Sequence, residues 1–526
     1  MAKPLSMIEL VVRLSFIFLL VPCLSCPAYH QQSLLHFKSS LLTSYETSNS
    51  TSFGLESWDS ISDCCKWTRV VCSSHSRDVT ALQLGDLHMR AGYNEYRALD
   101  VRILDPIYRI RSLSFLNISY TGIEGEFLLR FLQSLDLSDY SLKDGLSREI
   151  GKLENLRSLK LDQNSIDGIP VKIGNLTRLQ QFSISWNKLS GPIADSIFNL
   201  KGLKKLDVSN NYLEMHIPNR IGTLFHISIL DLSGNSFTGL IPPSIRNLSE
   251  LETLRLDDNM FSGEVPSWLF DIGSLKNLYL GGNKFIWNNN VKIVPRGVAT
   301  KYRSFFKDDG TYAFWKQVFG VDPEIEMNDL IVNWKNAMQG ISSHNQDMYS
   351  LVDLSNNKFS GDVPDSLGKL IGLKLLNLSY NKLSGYIPQS FGDLQSIETL
   401  DLSNNNISGT IPQSFQKPNQ LSVLDVSNNK LSGKIPRGGQ MDTMNDPSYF
   451  ANNNGLCGMQ IKVKCSEDEP TPDDVQEEDE DDDEQEPWFL WTGAWIGFRL
   501  GFISSVLRAF LSGYFVLPTP KLRNSL

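Results

Sequence analysis

The chain repeats itself every 24 residues, and this property restricts its fold more than any other. The unit L-x-L-S-x-N-x-L-S-G-x-I-P occurs as LDLSGNSFTGLIP from Leu230, LNLSYNKLSGYIP from Leu376, LDLSNNNISGTIP from Leu400 and LDVSNNKLSGKIP from Leu424. The first apolar position falls at Leu116, Leu135, Leu159, Phe182, Leu206, Leu230, Leu254, Leu278, Val352, Leu376, Leu400 and Leu424. Eight of the eleven intervals are 24 residues, and the others are 19, 23 and 74. A degenerate first unit is expected near Leu82. The L-x-L pair predicts a short strand that buries both leucines and turns the residue between them to the open face. The Asn five positions on (Asn164, Asn187, Asn211, Asn235, Asn259, Asn283, Asn357, Asn381, Asn405, Asn429) sits where the chain leaves the strand, and its amide can satisfy backbone groups there. Thr121 and Tyr140 take this place in the two early units, which predicts a less regular N-terminal end. Gly and Pro of G-x-I-P make the next bend. No unit buries its leucines alone, so the units must stack into one core.

Both ends differ from the middle. Lys3 and Arg13 precede an apolar run over 14–20 and small residues up to Ser25, as in a secretory signal peptide cleaved near Ser25–Cys26. Cys23 would leave with it. Cys26, Cys64, Cys65, Cys72, Cys457 and Cys465 remain, an even number gathered at two distant places, which predicts a disulfide at each end of a long domain. A metal site is the weaker alternative, because no C-x-x-C pair or spaced His accompanies them. Residues 488–517 are apolar apart from Arg499, Arg508 and a few Ser, Thr and Gly, long enough for a transmembrane helix, with 488–507 the expected span. Trp488, Trp491 and Trp495 would lie at the outer interface, and Arg508, Lys521 and Arg523 at the inner one. Arg499 inside that span costs about 2.5–3.5 kcal/mol. Gly493, Gly497, Gly501 and Ser505, continued by Ala509 and Gly513, form a small-residue stripe suited to close helix–helix contact.

The formal charge is −10, but fourteen acids fall within residues 467–486, so the rest of the chain carries 49 − 45 = +4. The acidic stretch reads as an extended, self-repelling spacer without the central Gly of a calcium loop. No basic block points to nucleic acid. No HExxH, GxSxG, P-loop or kinase signature is present, and seven scattered His form no evident centre, so neither an enzyme nor a cofactor is expected.

The period and consensus are those of a leucine-rich-repeat solenoid, with a parallel sheet on the concave face and irregular or 3-10 segments on the convex face. The S-G-x-I-P portion resembles the plant-specific subtype. The chain as a whole resembles the plant receptor-like proteins: a leucine-rich-repeat ectodomain on a single transmembrane helix, without a kinase domain. QQSLLHFKSSL followed by SW and CCKWTRVVC resembles that family's N-terminal cap, and NNNGLCGMQIKVKC its C-terminal cap. The resemblance implies Cys26–Cys64, Cys65–Cys72 and Cys457–Cys465 pairs. It also implies that the 74-residue interval holds a non-repeat island ahead of the last four repeats; two decayed repeats are the alternative. The expected organisation is a signal peptide (1–25), N-terminal cap (26–79), first repeat block (80–285), island (286–347), last four repeats (348–440), C-terminal cap (441–465), acidic spacer (466–487), transmembrane region (488–517) and short cytoplasmic tail (518–526).

Residues between and beside the L-x-L leucines are the candidate ligand contacts: Arg157, Lys160, Trp186, Lys204, Lys205, Asp207, Arg255, Asp258, Lys276 and Tyr279. Trp186 and Tyr279 are expected as exposed aromatic anchors among cations. The last four repeats offer Asp353, Asp401 and Asp425 instead. Asn49, Asn117, Asn175, Asn247, Asn377 and Asn406 head N-x-S/T glycosylation sequons in segments expected to be exposed. Asn117 and Asn377 stand within L-x-L, where glycans would leave the face between Leu135 and Leu278 open. The family resemblance implies a plasma-membrane, single-pass protein with an extracellular N-terminus. It would bind a peptide, protein or glycan ligand and signal through adaptor and co-receptor receptor-like kinases in defence or development. An extracellular binding or inhibitor module, or a kinase-less negative regulator, is the alternative.

Overall fold

The computed structural model describes residues 25–44, 53–85, 87, 99–119, 123–124, 130–138, 146–287, 330–334, 337–341 and 350–465. Two compact units divide the chain, Met1–Cys465 and Ser466–Leu526, and all described residues belong to the first. The expected signal peptide, Asn49, most of the island, the acidic spacer and the expected span with its glycine stripe lie outside the described residues. Among the described residues no helix is long and apolar enough to cross a membrane.

The repeat becomes a fourteen-stranded sheet whose neighbours follow chain order. Its first pair, Val70–Cys72 with Val79–Gln83, is antiparallel, and every later pairing is parallel. The register is constant: Leu82 faces Leu116, Leu206 faces Leu230, and Leu400 faces Leu424. Strands of three residues are enough because each leucine of the column is fully buried against the one above and below.

After each strand the chain runs through a short second sheet in the first block: Ser190–Gly191, Tyr212–Met215, Ser236–Gly239, Met260–Glu264 and Lys284–Ile286. It then makes one turn of 3-10 helix, as in Asn219–Thr223, Pro243–Asn247 and Gln389–Asp393, each entered from a proline: Pro218, Pro242 and Pro388. Proline presets the backbone there and lacks the N–H that a helix start leaves unpaired. Ile221, Ile245 and Phe391 point from these turns into the core. The glycine of S-G has a further reason: at Gly409 φ is +81°, and a Cβ would collide with the Tyr386 ring of the preceding repeat.

The Asn ladder is the polar counterpart of the leucine column. Asn259 Nδ2 donates to the carbonyls of Leu232 (3.0 Å), Leu256 (3.2 Å) and Asp257 (3.1 Å), and its Oδ1 accepts from Phe237 N–H (3.0 Å). One amide thus ties the turns of successive repeats and gives partners to three carbonyls at the bend. Asn453 makes the same bonds, to Val426, Phe450 and Ala451 carbonyls and from Leu431 N–H, so the ladder continues into the C-terminal cap where the L-x-L pattern has ended.

The 74-residue interval leaves no gap in the sheet. Asn277–Tyr279 pairs directly with Leu351–Asp353, Phe285 N–H donates to Asn357 Oδ1 at 3.0 Å, and Trp287 packs on Phe359 with ring centres 4.3 Å apart. The repeat conformation thus persists through residue 287 and resumes at residue 350. Between them, Leu330–Trp334 and Ala337–Ile341 pair antiparallel as a hairpin.

The exposed ends of the core are closed by caps. The helix Ala28–Ser44 buries Leu34, Phe37 and Leu41 in the core and packs against the turns Val101–Leu104 and Ile107–Arg109, and Trp58 stacks on Trp67 with ring centres 5.6 Å apart. Disulfides join Cys26 to Cys64 and Cys65 to Cys72. At the far end Gly455–Cys457 adds to Lys430–Lys434, and Cys457 is bonded to Cys465.

Candidate ligand-binding face

The concave sheet presents parallel columns of side chains, one residue per repeat. The third residue of each strand gives Asn117, Asp136, Lys160, Ser183, Asp207, Asp231, Arg255, Tyr279, Asp353, Asn377, Asp401 and Asp425 in one register-matched row. A second row, two residues on, is mostly serine. The two rows are bonded: Asp207 accepts from Ser209 N–H and Oγ, and Asp231 from Ser233 N–H and Oγ. Asp353, Asp401 and Asp425 accept from the N–H of Ser355, Ser403 and Ser427. The Asp of L-D-L-S therefore has a local duty, fixing the turn that follows the strand. Half-buried Asn117 and Asn377 do the same, their Oδ1 accepting from Ser119 and Ser379, so these two sequons are less open than expected. Asn175, Asn247 and Asn406 are exposed.

The expected ligand contacts all lie on or beside the strands between Ser158–Lys160 and Asn277–Tyr279, but they are not equivalent. Arg157, Lys160 and the exposed Lys204 form no ion pair among the described residues. Lys205 is 3.6 Å from Asp207, which is only 5% exposed, so this pair is largely withdrawn from solvent. Lys276 is held by Glu252 of the preceding repeat at 3.0 Å. Arg255 makes a two-point contact with Asp257 (3.2 and 2.9 Å) and lies 3.7 Å from Asp231. Tyr279 departs from expectation: it is 3% exposed, under the Arg255 guanidinium, and cannot serve as an open aromatic anchor. The one-letter pattern misled because it does not show that Arg255 of the preceding repeat covers the ring.

Trp186 behaves as expected and is 58% exposed. It also belongs to a row that sequence reasoning missed, the residue before each ladder Asn. Gln163, Trp186, Asn210, Asp258, Asn356, Tyr380, Asn404 and Asn428 all have φ between +48° and +56°, and Gly234 and Gly282 complete the row. Glycine at two of these positions was the available signal. Asp162, Asp231 and Asp257 were also missed. Asp162 accepts from the hydroxyls of Ser183 and Ser185 and from Ser185 N–H.

Electrostatically the face divides. Burial pushes Asp231 up to about 6 against the pull of Arg255, and burial likewise lifts Asp353 and Asp401 to about 6 despite serine hydrogen bonds. Burial also raises Asp162, helped by the nearby Asp207 carboxylate. The only described group of metal-type ligands is Cys26, Cys64 and Cys65, all in disulfides and so not available to a metal. Such a face offers charge, hydrogen bonds and the open rings of Trp186 and Tyr380 along an extended groove, which is binding chemistry.

Known proteins agree with this architecture. Residues 225–285, 350–407 and 388–431 match the leucine rich repeat family, and 31–73 match the leucine rich repeat N-terminal domain. Receptor-like protein 46 of Arabidopsis thaliana is 63% identical over 187 residues, covering 35% of this chain and 23% of that protein. Receptor like protein 21 of the same plant is 30% identical over 189 residues, covering 33% of this chain and 19% of that protein. The matched stretches thus span less than a quarter of either relative. Among solved structures, the leucine-rich-repeat ectodomain of the Arabidopsis receptor kinase HAESA, in complex with an N-terminally extended IDA peptide hormone ligand, superposes with TM-score 0.57 at 25% identity, covering 77% of this chain and 59% of that one. The repeats and the N-terminal domain thus match known families, and the chain is similar to plant receptor-like proteins over about a third of its length.

Proposed function

We propose that the chain is a cell-surface receptor subunit that binds an extracellular ligand on its concave face and signals through a receptor-like kinase partner. The observation that carries this reading is the groove between Arg157 and Asp353, where cations outside any described ion pair, an open Trp186 and exposed polar edges follow one another at one-strand spacing. The similarity to plant receptor-like proteins supports it, and so does the peptide held by the HAESA ectodomain, a solenoid of the same fold. The apolar region 488–517 supplies the anchor, and the stripe Gly493, Gly497, Gly501 and Ser505 supplies the helix contact with the partner. With no kinase signature in the sequence, phosphorylation falls to that partner. Defence or development is the setting.

The test is expression of the tagged full chain in plant cells. Retention in carbonate-washed membranes, and co-precipitation of a receptor-like kinase that increases on applying extracellular fluid and is lost in Gly497→Leu, is the expected result. Glycosylated protein in the medium, with no kinase recovered, would overturn the receptor reading in favour of a secreted binding module. Trp186→Gly is expected to abolish the ligand-dependent increase while leaving membrane retention intact.

A further inference from the structure

We infer that the ligand of this face is a charge-polar chain, with an anionic part on Arg157, Lys160 and Lys204 and a guanidinium or ammonium group at Asn277, Tyr279 and Asp353. The inference rests on the reading of the concave sheet as the ligand face. It begins from two buried atoms without hydrogen-bond partners beside a carboxylate without a cation. Asn277 and Tyr279 lie two residues apart on one strand and so share its open face. Asn277 is 4% exposed and its Oδ1 has no hydrogen-bond partner; Tyr279 is 3% exposed and its hydroxyl has none. Asp353 is the register partner of Tyr279 on the next strand, half-buried, and accepts from Ser355 N–H, with no cation paired to it among the described residues.

Buried polar atoms without partners are rare and unfavourable, and here one of them, the Tyr279 hydroxyl, belongs to the register partner of a carboxylate with lone pairs to spare, while the other, Asn277 Oδ1, lies two residues back on the same strand. Asn277 Oδ1 and the Asp353 carboxylate can only accept, the phenol can accept or donate, and Asn277 Nδ2 is already given to Thr253 Oγ1 at 3.3 Å. The fitting ligand group is therefore one with several N–H donors and positive charge. An anion does not fit: Asp231, Asp257, Asp258 and Asp353 all lie close enough to shift one another or Tyr279, and the cation described among them, Arg255, is committed to Asp231 and Asp257. Burial raises the Asp353 carboxyl, so a bound cation would relieve an existing cost.

The other end of the groove has the opposite character. Arg157 and Lys160 lie beside and on one strand, Lys204 lies beside the next strand but one, and none of the three carries an ion pair among the described residues, while the acids around them are engaged. Asp136 accepts from Ser138 N–H, Asp162 is held by Ser183 and Ser185, and Asp207 has Lys205. Six strand steps separate Lys160 from Asp353. At about 4.8 Å per step this is about 29 Å, which an extended peptide crosses in about nine residues. Asn117 and Asn377 stand in the same row just outside the two ends.

The test uses the full chain in detergent and two labelled peptides. Each joins a triglutamate block to a triarginine block, one through a Gly-Ser dipeptide and the other through a Gly-Ser spacer of about nine residues. A benzophenone is placed at either end. The long peptide is expected to bind at least about fivefold tighter than the short one, and either Lys160→Glu with Lys204→Glu or Asp353→Asn is expected to erase that advantage. Crosslinks from the arginine end are expected within 277–355, and from the glutamate end within 157–205. Equal affinity of the two peptides, or arginine-end crosslinks confined to the acidic stretch 467–486, would overturn the inference. If the charge variants are silent while Trp186→Gly still abolishes the ligand-dependent kinase recovery, the charge assignment falls and the ligand face stands. If Trp186→Gly is silent as well, the face itself is the wrong one.

Discussion

The Arg255 guanidinium sits 4.9 Å from the centre of the Tyr279 ring, pinned there by its two-point contact with Asp257. In the two repeats before it the equivalent pair is an acid with a serine, Asp207 with Ser209 and Asp231 with Ser233. Arg255 is thus a cation in an acidic row, and it neutralises Asp231 of the repeat before it and Asp257 of its own. Removing it leaves two largely buried carboxylates without a counter-charge. Arg255→Ala is expected to lower stability by about 3 kcal/mol, more than the loss of its ring contact accounts for. Denaturant unfolding of the variant measures it, and Arg255→Ala combined with Asp257→Asn should recover part of the loss.

Tyr279→Phe should do the opposite. The phenol hydroxyl is buried without a partner, so removing it relieves a desolvation cost and leaves the ring under Arg255 in place. The unfolding free energy is expected to stay level or rise by up to about 1 kcal/mol. A drop of more than about 1 kcal/mol would mean that the hydroxyl is satisfied in solution.

The Asn ladder predicts large losses from small truncations. Asn259→Ala deletes three donated bonds and one accepted bond, and strands the carbonyls of Leu232, Leu256 and Asp257 near the core. A loss of about 2–4 kcal/mol is expected in calorimetry or denaturant unfolding. Asn428→Gly, one residue before a ladder position and at φ +55°, should cost far less: glycine adopts that conformation freely, which offsets the loss of the exposed bond from Asn452 Nδ2.

These contrasts show what a sequence can and cannot disclose. The leucine column, the Asn ladder and the bends at Gly and Pro were legible because stacking imposes the same demand on every unit. The left-handed row was only faintly legible: Gly234, Gly282 and four Asn signal it, but Gln163, Trp186, Asp258 and Tyr380 have nothing in common but their place. The concave candidates were found in position but not in state. Whether a lysine or an aspartate is free depends on neighbours both two residues on, as Lys205 with Asp207, and 24 residues away, as Lys276 with Glu252, and the L-x-L pattern records neither. Tyr279 shows this most clearly: only its stacking under Arg255 and beside Asp353 removes it from solvent.

The raised carboxyls make a pH prediction. Asp231, Asp353 and Asp401 titrate near 6 when folded, above the ordinary value near 3.8. The folded state therefore holds these protons more tightly, and their contribution is fully present below about pH 4 and lost as pH rises through 6. His30 opposes it: burial in the N-terminal cap lowers its value, so the cap loses stability as pH falls below about 6.5. Between about pH 7 and 5 the repeats should gain up to about 1 kcal/mol per carboxyl after allowance for solvent screening, while the cap weakens. Hydrogen exchange resolves the two regions, and Asp353→Asn should flatten the profile of the strands around it.

Trp186 separates binding from folding. Its φ of +54° disfavours a bulky side chain, its ring is largely exposed, and its fold contribution visible in the hydrogen bonds is the backbone N–H donated to the Ser209 carbonyl at 3.0 Å. Trp186→Gly keeps that bond and relieves the left-handed strain, so stability should hold or rise by about 0.5–1 kcal/mol. The exposed ring is the only part lost. A tryptophan kept at a position that favours glycine suits an anchor for a ligand, and the variant should lose ligand-dependent kinase recovery despite its equal or greater stability. Full recovery of the response in Trp186→Gly would show that the ring serves neither the fold nor the ligand.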